Sequence, residues 1–99
     1  MHSSKKAAAS AESLEVTLYT RPGCHLCEEA KSLIAPLLAE FGARLREVNI
    51  DGDPQLHERY NLDVPVIFLR GRKIAKHRVD PVQFKRLLLE ARGDFRERA

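Results

Sequence analysis

The sequence predicts an α/β domain with the element order β-α-β-α-β-β-α. Residues 15–20 alternate apolar and β-branched side chains, which is typical of a strand, and the stretch after them repeats apolar residues at helical spacing. Later in the chain, two short apolar runs joined by a glycine turn precede a second long helical pattern. A chain of 99 residues, 43% hydrophobic and 31% charged, is sufficient for one small globular domain.

The first helix is predicted over residues 24–40. Its apolar positions recur at a helical period: Leu26, Ala30, Leu33, Ile34, Leu37, Leu38 and Phe41. Pro36 removes one intrahelical hydrogen bond, so we expect it to kink or locally break this helix, and Gly42 is the expected stop. Residues 44–50 then read as a strand, and because a helix connects the two strands, they should form a right-handed, parallel βαβ unit.

A short helix is predicted next, with Asp53 as its N-cap and Pro54 at its first position. Asn61 should end it in the left-handed conformation. Residues 63–69 read as a buried strand in which Pro65 must lie at the start, because proline cannot donate to a β-ladder. A turn at Gly71-Arg72 leads into a hairpin partner over residues 73–77.

The last helix is predicted from Pro81 to about Arg92, with Asp80 as its N-cap and Gly93 as its end. We expect residues 1–13, which lack apolar periodicity, to form a disordered N-terminal tail. The domain then spans residues 14–92, and residues 93–99 form a frayed C-terminal tail.

Composition narrows the choice of partners and compartment. The formal net charge is +3 and spread along the chain, without a basic stripe interleaved with aromatics, so nucleic-acid binding is not expected. No apolar run approaches the length of a membrane span, so no membrane association is expected either. A chain whose two cysteines lie three residues apart has no disulfide framework, which favours a reducing compartment. We therefore expect a monomer in the cytoplasm, with the mitochondrial matrix as the alternative.

The chemistry of the chain is predicted at Cys24 and Cys27, after the strand-to-helix turn of Pro22 and Gly23. Free N–H groups at a helix N-terminus favour an anion, and there the pKa of a cysteine thiol falls from about 8.5 to roughly 3.5–7.5. Cys24 is thus the expected nucleophile, and Cys27, on the inner side of the helix, the resolving thiol. Two alternatives stay open: a merely apolar pair, and a metal site in which His25, His57 or His77 completes the ligand set.

The pattern resembles the glutaredoxin branch of the thioredoxin-like fold over roughly residues 14–92. The resemblance rests on the Cys pair, on Val64-Pro65 opening the third strand, and on the order of elements. Within that branch, the chain more specifically resembles small glutaredoxin-like proteins that carry Cys-x-Leu-Cys-x-x-Ala-Lys, here residues 24–31. Those proteins also carry Glu-Arg-Tyr, here residues 58–60, and His-Arg-Val, here residues 77–79.

The resemblance implies a four-stranded mixed sheet flanked by three helices, with residues 15–19 central and 72–77 at an edge. It also implies that Pro65 is cis and faces the Cys pair, and that the backbone of Val64 pairs with the substrate. Arg21 and Asp80 fall where the family contacts glutathione, although Arg21 could be a solvated loop residue and Asp80 a plain N-cap. From the residues alone, His25 either tunes the pKa of Cys24 or is a passive exposed histidine.

Two departures qualify the resemblance. Glutaredoxins that bind glutathione well carry Gly-Gly before the last helix, where this chain has residues 75–78, Ala-Lys-His-Arg. The usual Pro-Tyr between the cysteines is replaced by His25-Leu26. We therefore predict a dithiol–disulfide oxidoreductase without a bound cofactor, acting on a protein disulfide or a glutathione mixed disulfide, with glutathione an open question as reductant or co-substrate. The alternatives are a binding module with little turnover and a metal- or cluster-binding protein.

Overall fold

The computed structural model describes residues 14–98, with side chains over residues 14–92. The predicted N-terminal tail lies outside the described residues. Four strands, three α-helices and one 3₁₀ turn follow in the predicted order, so the predicted element order is confirmed. The elements are β1 (Glu15–Thr20), α1 (His25–Phe41), β2 (Arg44–Asn49), the 3₁₀ turn (Ile50–Gly52), α2 (Pro54–Tyr60), β3 (Val66–Leu69), β4 (Arg72–Lys76) and α3 (Pro81–Arg98).

The four strands form one mixed sheet in the order β2-β1-β3-β4. β1 pairs parallel with β2 and antiparallel with β3, and β3 pairs antiparallel with β4 at the edge. This is the predicted sheet, including the parallel βαβ unit. Since side chains alternate along a strand, Val16 and Leu18 face one side of the sheet, and Thr17 and Tyr19 face the other.

Two cores result from this alternation. The larger lies between the sheet and the helices α1 and α3, where Ile34, Phe84 and Leu88 are at most 1% exposed. The smaller lies on the opposite face of the sheet, where α2 contributes Leu56 and Tyr60. Two long helices on one face and the short helix on the other are thus confirmed. In the described part of the chain, no helix is both long and apolar enough to span a bilayer.

Helix α1 begins and ends as the sequence predicts. Cys24 is its N-cap, and Gly42 caps its C-terminus at a φ of 65°, in the left-handed conformation that glycine adopts at little cost. The helix continues through Pro36, so the predicted local break does not occur. Because Pro36 lies on the exposed face of the helix, the carbonyl that it leaves without a partner is open to water.

The second half of the chain requires three corrections. Asn61 adopts right-handed helical angles (φ −57°, ψ −29°), because the chain continues into a turn in which Tyr60 O accepts from the N–H groups of Asp63 and Val64. β3 begins at Val66 rather than residue 63. The β3–β4 turn is centred on Arg70-Gly71, both at positive φ (55° and 77°), and not on Gly71-Arg72. Two residues in that conformation form the type of turn that matches the twist of a hairpin.

The N-cap predicted for the last helix is present. The Asp80 carboxylate accepts from the N–H of Val82 at 3.0 Å, and the Asp80 carbonyl accepts from Phe84 N–H at 2.9 Å. The predicted end is wrong, since α3 continues through Gly93 to Arg98. One glycine inside a helix costs only about 1 kcal/mol relative to alanine, which residues that favour helix on either side can offset.

Candidate active site

Cys24 and Cys27 form a disulfide across the first turn of α1, with their Cα atoms 5.2 Å apart. The fold places them there because β1 ends at Thr20 and the Arg21-Pro-Gly turn delivers Cys24 to the helix N-terminus. The N–H of Cys27 donates to Cys24 Sγ at 3.1 Å, as an N-cap side chain would accept it. The Cys24 sulfur therefore lies where a helix best stabilises an anion.

The two sulfurs differ in their access to solvent. Cys27 is 0% exposed and belongs to the smaller core, whereas Cys24 is partly exposed and packs against that core. A reagent that approaches the disulfide therefore meets Cys24 first. This is the asymmetry expected between an attacking and a resolving thiol.

The Val64-Pro65 peptide bond is cis, as the resemblance implied. Val64 is 9% exposed and belongs to the same small core as Cys27, and the Pro65 side chain is fully buried. The loop that the family uses to pair with substrate backbone is thus part of the same cluster as the Cys pair. The pairing of Val64 with a substrate stays a prediction.

Arg21 is held by the segment that follows β2. Its Nη2 donates to Asp51 Oδ1 at 3.0 Å and to His57 Nε2 at 3.2 Å, and its Nη1 donates to Asn61 O at 3.4 Å. Because a guanidinium only donates, His57 Nε2 is the acceptor in this contact. Arg21 is therefore not a solvated loop residue, and a glutathione carboxylate would have to compete with these partners.

The β4–α3 loop is fixed by His77, which has a φ of 69° without being a glycine. Its N–H donates to Pro65 O at 2.8 Å and Asp63 O at 3.2 Å, and its ring Nε2 donates to Leu62 O at 2.9 Å. His77 thus ties the loop before α3 to the cis-proline loop. His77 belongs to residues 75–78, the stretch in which the family resemblance leads us to expect glycines in a protein that binds glutathione well.

The remaining predicted residues have simpler surroundings. Asp80 is exposed, and its carboxylate caps α3, which is the plain role considered from the sequence. The side chain of His25 is exposed and, within residues 14–92, has no hydrogen bond or ion pair. Its effect on Cys24 stays a prediction. Across the same described side chains, no group of three or more His, Cys, Asp or Glu is arranged to hold a metal ion.

Sequence reasoning missed two parts of this site. The partners of Arg21 lie 30 to 40 residues after it in the chain, and no local sequence pattern predicts contacts over that separation. The left-handed backbone of His77 was missed because a positive φ is uncommon in residues other than glycine. One signal for this loop was available in the sequence: residues 75–78 carry side chains at the point where the family resemblance leads us to expect glycines.

A Cys pair at disulfide distance on a helix N-terminus, in a four-stranded mixed sheet with the element order β-α-β-α-β-β-α, defines a thioredoxin-fold protein. The model of the Glutaredoxin-like domain (DUF836) matches residues 15–89, and the chain belongs to that family. A relative from Dictyostelium discoideum, named "Glutaredoxin-like protein YDR286C homolog", is 36% identical over 75 residues, which cover 70% of this chain and 69% of the relative.

Solved structures are similar to this chain in fold. A crystal structure from X. campestris is 34% identical with a TM-score of 0.63, covering 74% of this chain and 93% of that one. A solution structure from Nitrosomonas europaea is 31% identical with a TM-score of 0.64, covering 74% and 88%. A thioredoxin mutant from Halobacterium salinarum, 17% identical with a TM-score of 0.60 over 90% of this chain and 83% of its own, shares the fold.

Proposed function

We propose that this protein is a dithiol–disulfide oxidoreductase that reduces protein disulfides. The observation that carries the proposal is the asymmetric Cys pair: a partly exposed Cys24 at the N-terminus of α1 is bonded to a fully buried Cys27 in the core shared with Val64. Membership in a glutaredoxin-like family supports the same reaction class.

The reaction begins with the reduced protein. The Cys24 thiolate, stabilised by the helix N-terminus and by the N–H of Cys27, attacks one sulfur of the substrate disulfide. That S–S bond breaks, a mixed disulfide with Cys24 forms, and the other substrate sulfur leaves as a thiolate that takes up a proton. Cys27, as a thiolate, then attacks Cys24 Sγ and releases the second substrate thiol. Two electrons have passed to the substrate, and the Cys24–Cys27 disulfide remains.

Completing the cycle requires an external dithiol or two molecules of a monothiol such as glutathione, which supply the two electrons. No resident cofactor is part of this cycle. We place the protein, as a monomer, in a reducing compartment such as the cytoplasm, where such donors keep thiols reduced.

We propose protein disulfides rather than glutathione mixed disulfides as the main substrate. The Arg21 guanidinium is engaged by Asp51, His57 and Asn61, and Asp80 caps α3. The loop that would have to approach glutathione closely carries the side chains of His77 and Arg78. New surface ion pairs are worth only about 0–1 kcal/mol, so they would not offset a fixed steric obstacle. An extended polypeptide can instead use the backbone of Val64.

The test is turnover of a protein disulfide, with dithiothreitol as the electron donor, measured for the wild type and for Cys24→Ser. We expect the wild type to accelerate reduction and the variant to show only the uncatalysed rate. A matched assay on a glutathione mixed disulfide should give weaker turnover. A wild-type protein that binds the substrate without accelerating its reduction would instead be a binding module, and the proposal would fail.

A further inference from the structure

A row of four side chains crosses the face of the sheet that carries α2. The strand registers align Arg46 of β2 with Thr17 of β1, Thr17 with Phe68 of β3, and Phe68 with Lys73 of β4. We call these four residues the basic row. Neighbouring strands lie about 4.8 Å apart, so the backbones of Arg46 and Lys73 are separated by roughly 14 Å, with Thr17 and Phe68 between them.

Helix α2 covers only part of this face. Its Leu56 and Tyr60 pack in the small core with Tyr19, which lies two residues along β1 from Thr17 and on the same face of the sheet. The Phe68 ring touches that core at its margin, and the other two helices pack on the opposite face. Arg46 and Lys73 are exposed, and Thr17 and Phe68 are each only partly buried. The basic row is therefore open to a partner.

Within residues 14–92, no carboxylate pairs with the cations of this surface. Arg44 lies on the same face of β2 and is exposed. Its side chain has no hydrogen bond or ion pair among the described residues, and the same holds for the side chains of Arg46 and Lys73. The one acidic neighbour in register is Glu15, opposite Arg44, and it forms no ion pair with it. Elsewhere, by contrast, Lys31 and Lys85 each lie within 4 Å of a carboxylate.

Cations on edge strands also oppose aggregation between sheets, and this role is sufficient to explain Arg46 on β2 and Lys73 on β4. It does not account for the partly open Thr17 and Phe68 on the two interior strands. An apolar centre with an arginine-rich rim is the anatomy of a protein interface. Single-stranded nucleic acid is held by successive stacking rings, and this row offers only Phe68, whose ring already contacts Tyr19 and Tyr60.

We propose that the basic row and Arg44 dock an acidic segment of a partner protein, whose carboxylates meet the cations while an apolar side chain rests on Phe68. The surface lies away from the redox site, since Arg44 is in register with the first residue of β1 and Cys24 follows its last. A partner bound here leaves the Cys pair accessible. The chain's first 13 residues carry Lys5, Lys6 and Glu12 as their charged residues, so their charge does not complement this face.

The test uses the full chain and fluorescence anisotropy with a labelled peptide of glutamates that has one central leucine. The triple variant Arg44→Ser, Arg46→Ser, Lys73→Ser should bind this peptide at least about tenfold more weakly, which equals 1.4 kcal/mol or more. A charge-matched control, Arg72→Ser, Lys85→Ser, Arg86→Ser, should lose less than about twofold. Arg72 is a sharp control because it lies on the same strand as Lys73 but in register with the buried Leu69.

Equal losses of peptide affinity in the two triple variants would show that binding depends only on net charge, and this would overturn the proposal. Tighter binding of a single-stranded oligothymidylate of equal charge, lost in the first triple variant, would make the partner a nucleic acid and overturn it as well. Deleting residues 1–13 should leave the affinity unchanged; a marked gain would show that those residues occupy the face. Disulfide turnover should be normal in the first triple variant. The outcome for the docking surface is therefore independent of the outcome for the proposed redox function.

Discussion

The backbone N–H of Cys27 donates a hydrogen bond to the sulfur of Cys24 at 3.1 Å. The residue proposed to resolve the mixed disulfide therefore also helps to hold the proposed nucleophile at the N-terminus of α1. In the reduced protein the same N–H would face a thiolate, and a hydrogen bond to a charged acceptor is stronger than one to a neutral acceptor. The geometry thus favours ionisation of Cys24 over ionisation of Cys27.

Alkylation of the reduced protein at neutral pH should label Cys24 well before Cys27. Cys27 is 0% exposed, whereas Cys24 is partly exposed and its thiol pKa should be lowered below about 8.5 by the helix N-terminus. Peptide mapping after a short reaction with iodoacetamide measures the ratio. In denaturant the two cysteines should label equally. Preferential labelling of Cys27 in the folded protein would reverse the assigned roles.

Replacing His77 and Arg78 by glycine together should increase turnover of a glutathione mixed disulfide by about tenfold, the equivalent of 1.4 kcal/mol. The change removes the two side chains from the loop and leaves a backbone that already has a positive φ at His77. Val82→Gly, four residues on and 74% exposed, is a control for added flexibility. An unchanged rate in the double-glycine variant would show that side-chain bulk does not limit glutathione.

The Arg21–Asp51 ion pair should contribute modestly to stability. Its side chains are 30% and 41% exposed, and pairs of this kind couple by about 0.2–1 kcal/mol. A double-mutant cycle with Arg21→Gln and Asp51→Asn in urea gives the coupling energy. The Lys85–Glu40 pair, with side chains 47% and 52% exposed, should couple more weakly. A coupling of zero at Arg21–Asp51 would mean that this contact does not hold the turn before Cys24.

Stability should fall at alkaline pH partly through Lys31. The carboxylate of Glu47, and then that of Glu28, raises the pKa of Lys31 above its ordinary value of 10.5. A pKa raised by folding means that the contribution is complete below 10.5 and is lost as pH rises through the higher folded value. The Tm of the oxidised wild type should therefore fall more steeply above pH 10.5 than that of Lys31→Met. Parallel curves would contradict this role.

The sequence predicted the parts of this fold that depend on local chemistry. The caps at Asp53, Asp80 and Gly42 follow from side-chain and backbone preferences within a few residues, and all three are present. The predicted start of β3 and the predicted end of α3 were wrong. The limits of a strand depend on where its partner strand pairs with it, and a helix can continue through a single glycine when the residues around it favour helix.

The site was predictable to a similar extent. The Cys pair and the cis Val64-Pro65 bond follow from spacing and from the family resemblance. The partners of Arg21 and the loop held by His77 depend on contacts across the fold, so no local pattern shows them. These long-range contacts are also the ones that most affect the case for glutathione.

The most direct test of the central claim is to trap the intermediate. Reduced Cys27→Ser protein, mixed with a protein disulfide and analysed by intact mass and peptide mapping, should accumulate a mixed disulfide at Cys24, because the resolving thiol is missing. Cys24→Ser protein, treated identically, should form none. A stable adduct on Cys27 in the Cys24→Ser protein, or the absence of an adduct on Cys24 in the Cys27→Ser protein, would contradict the proposed mechanism.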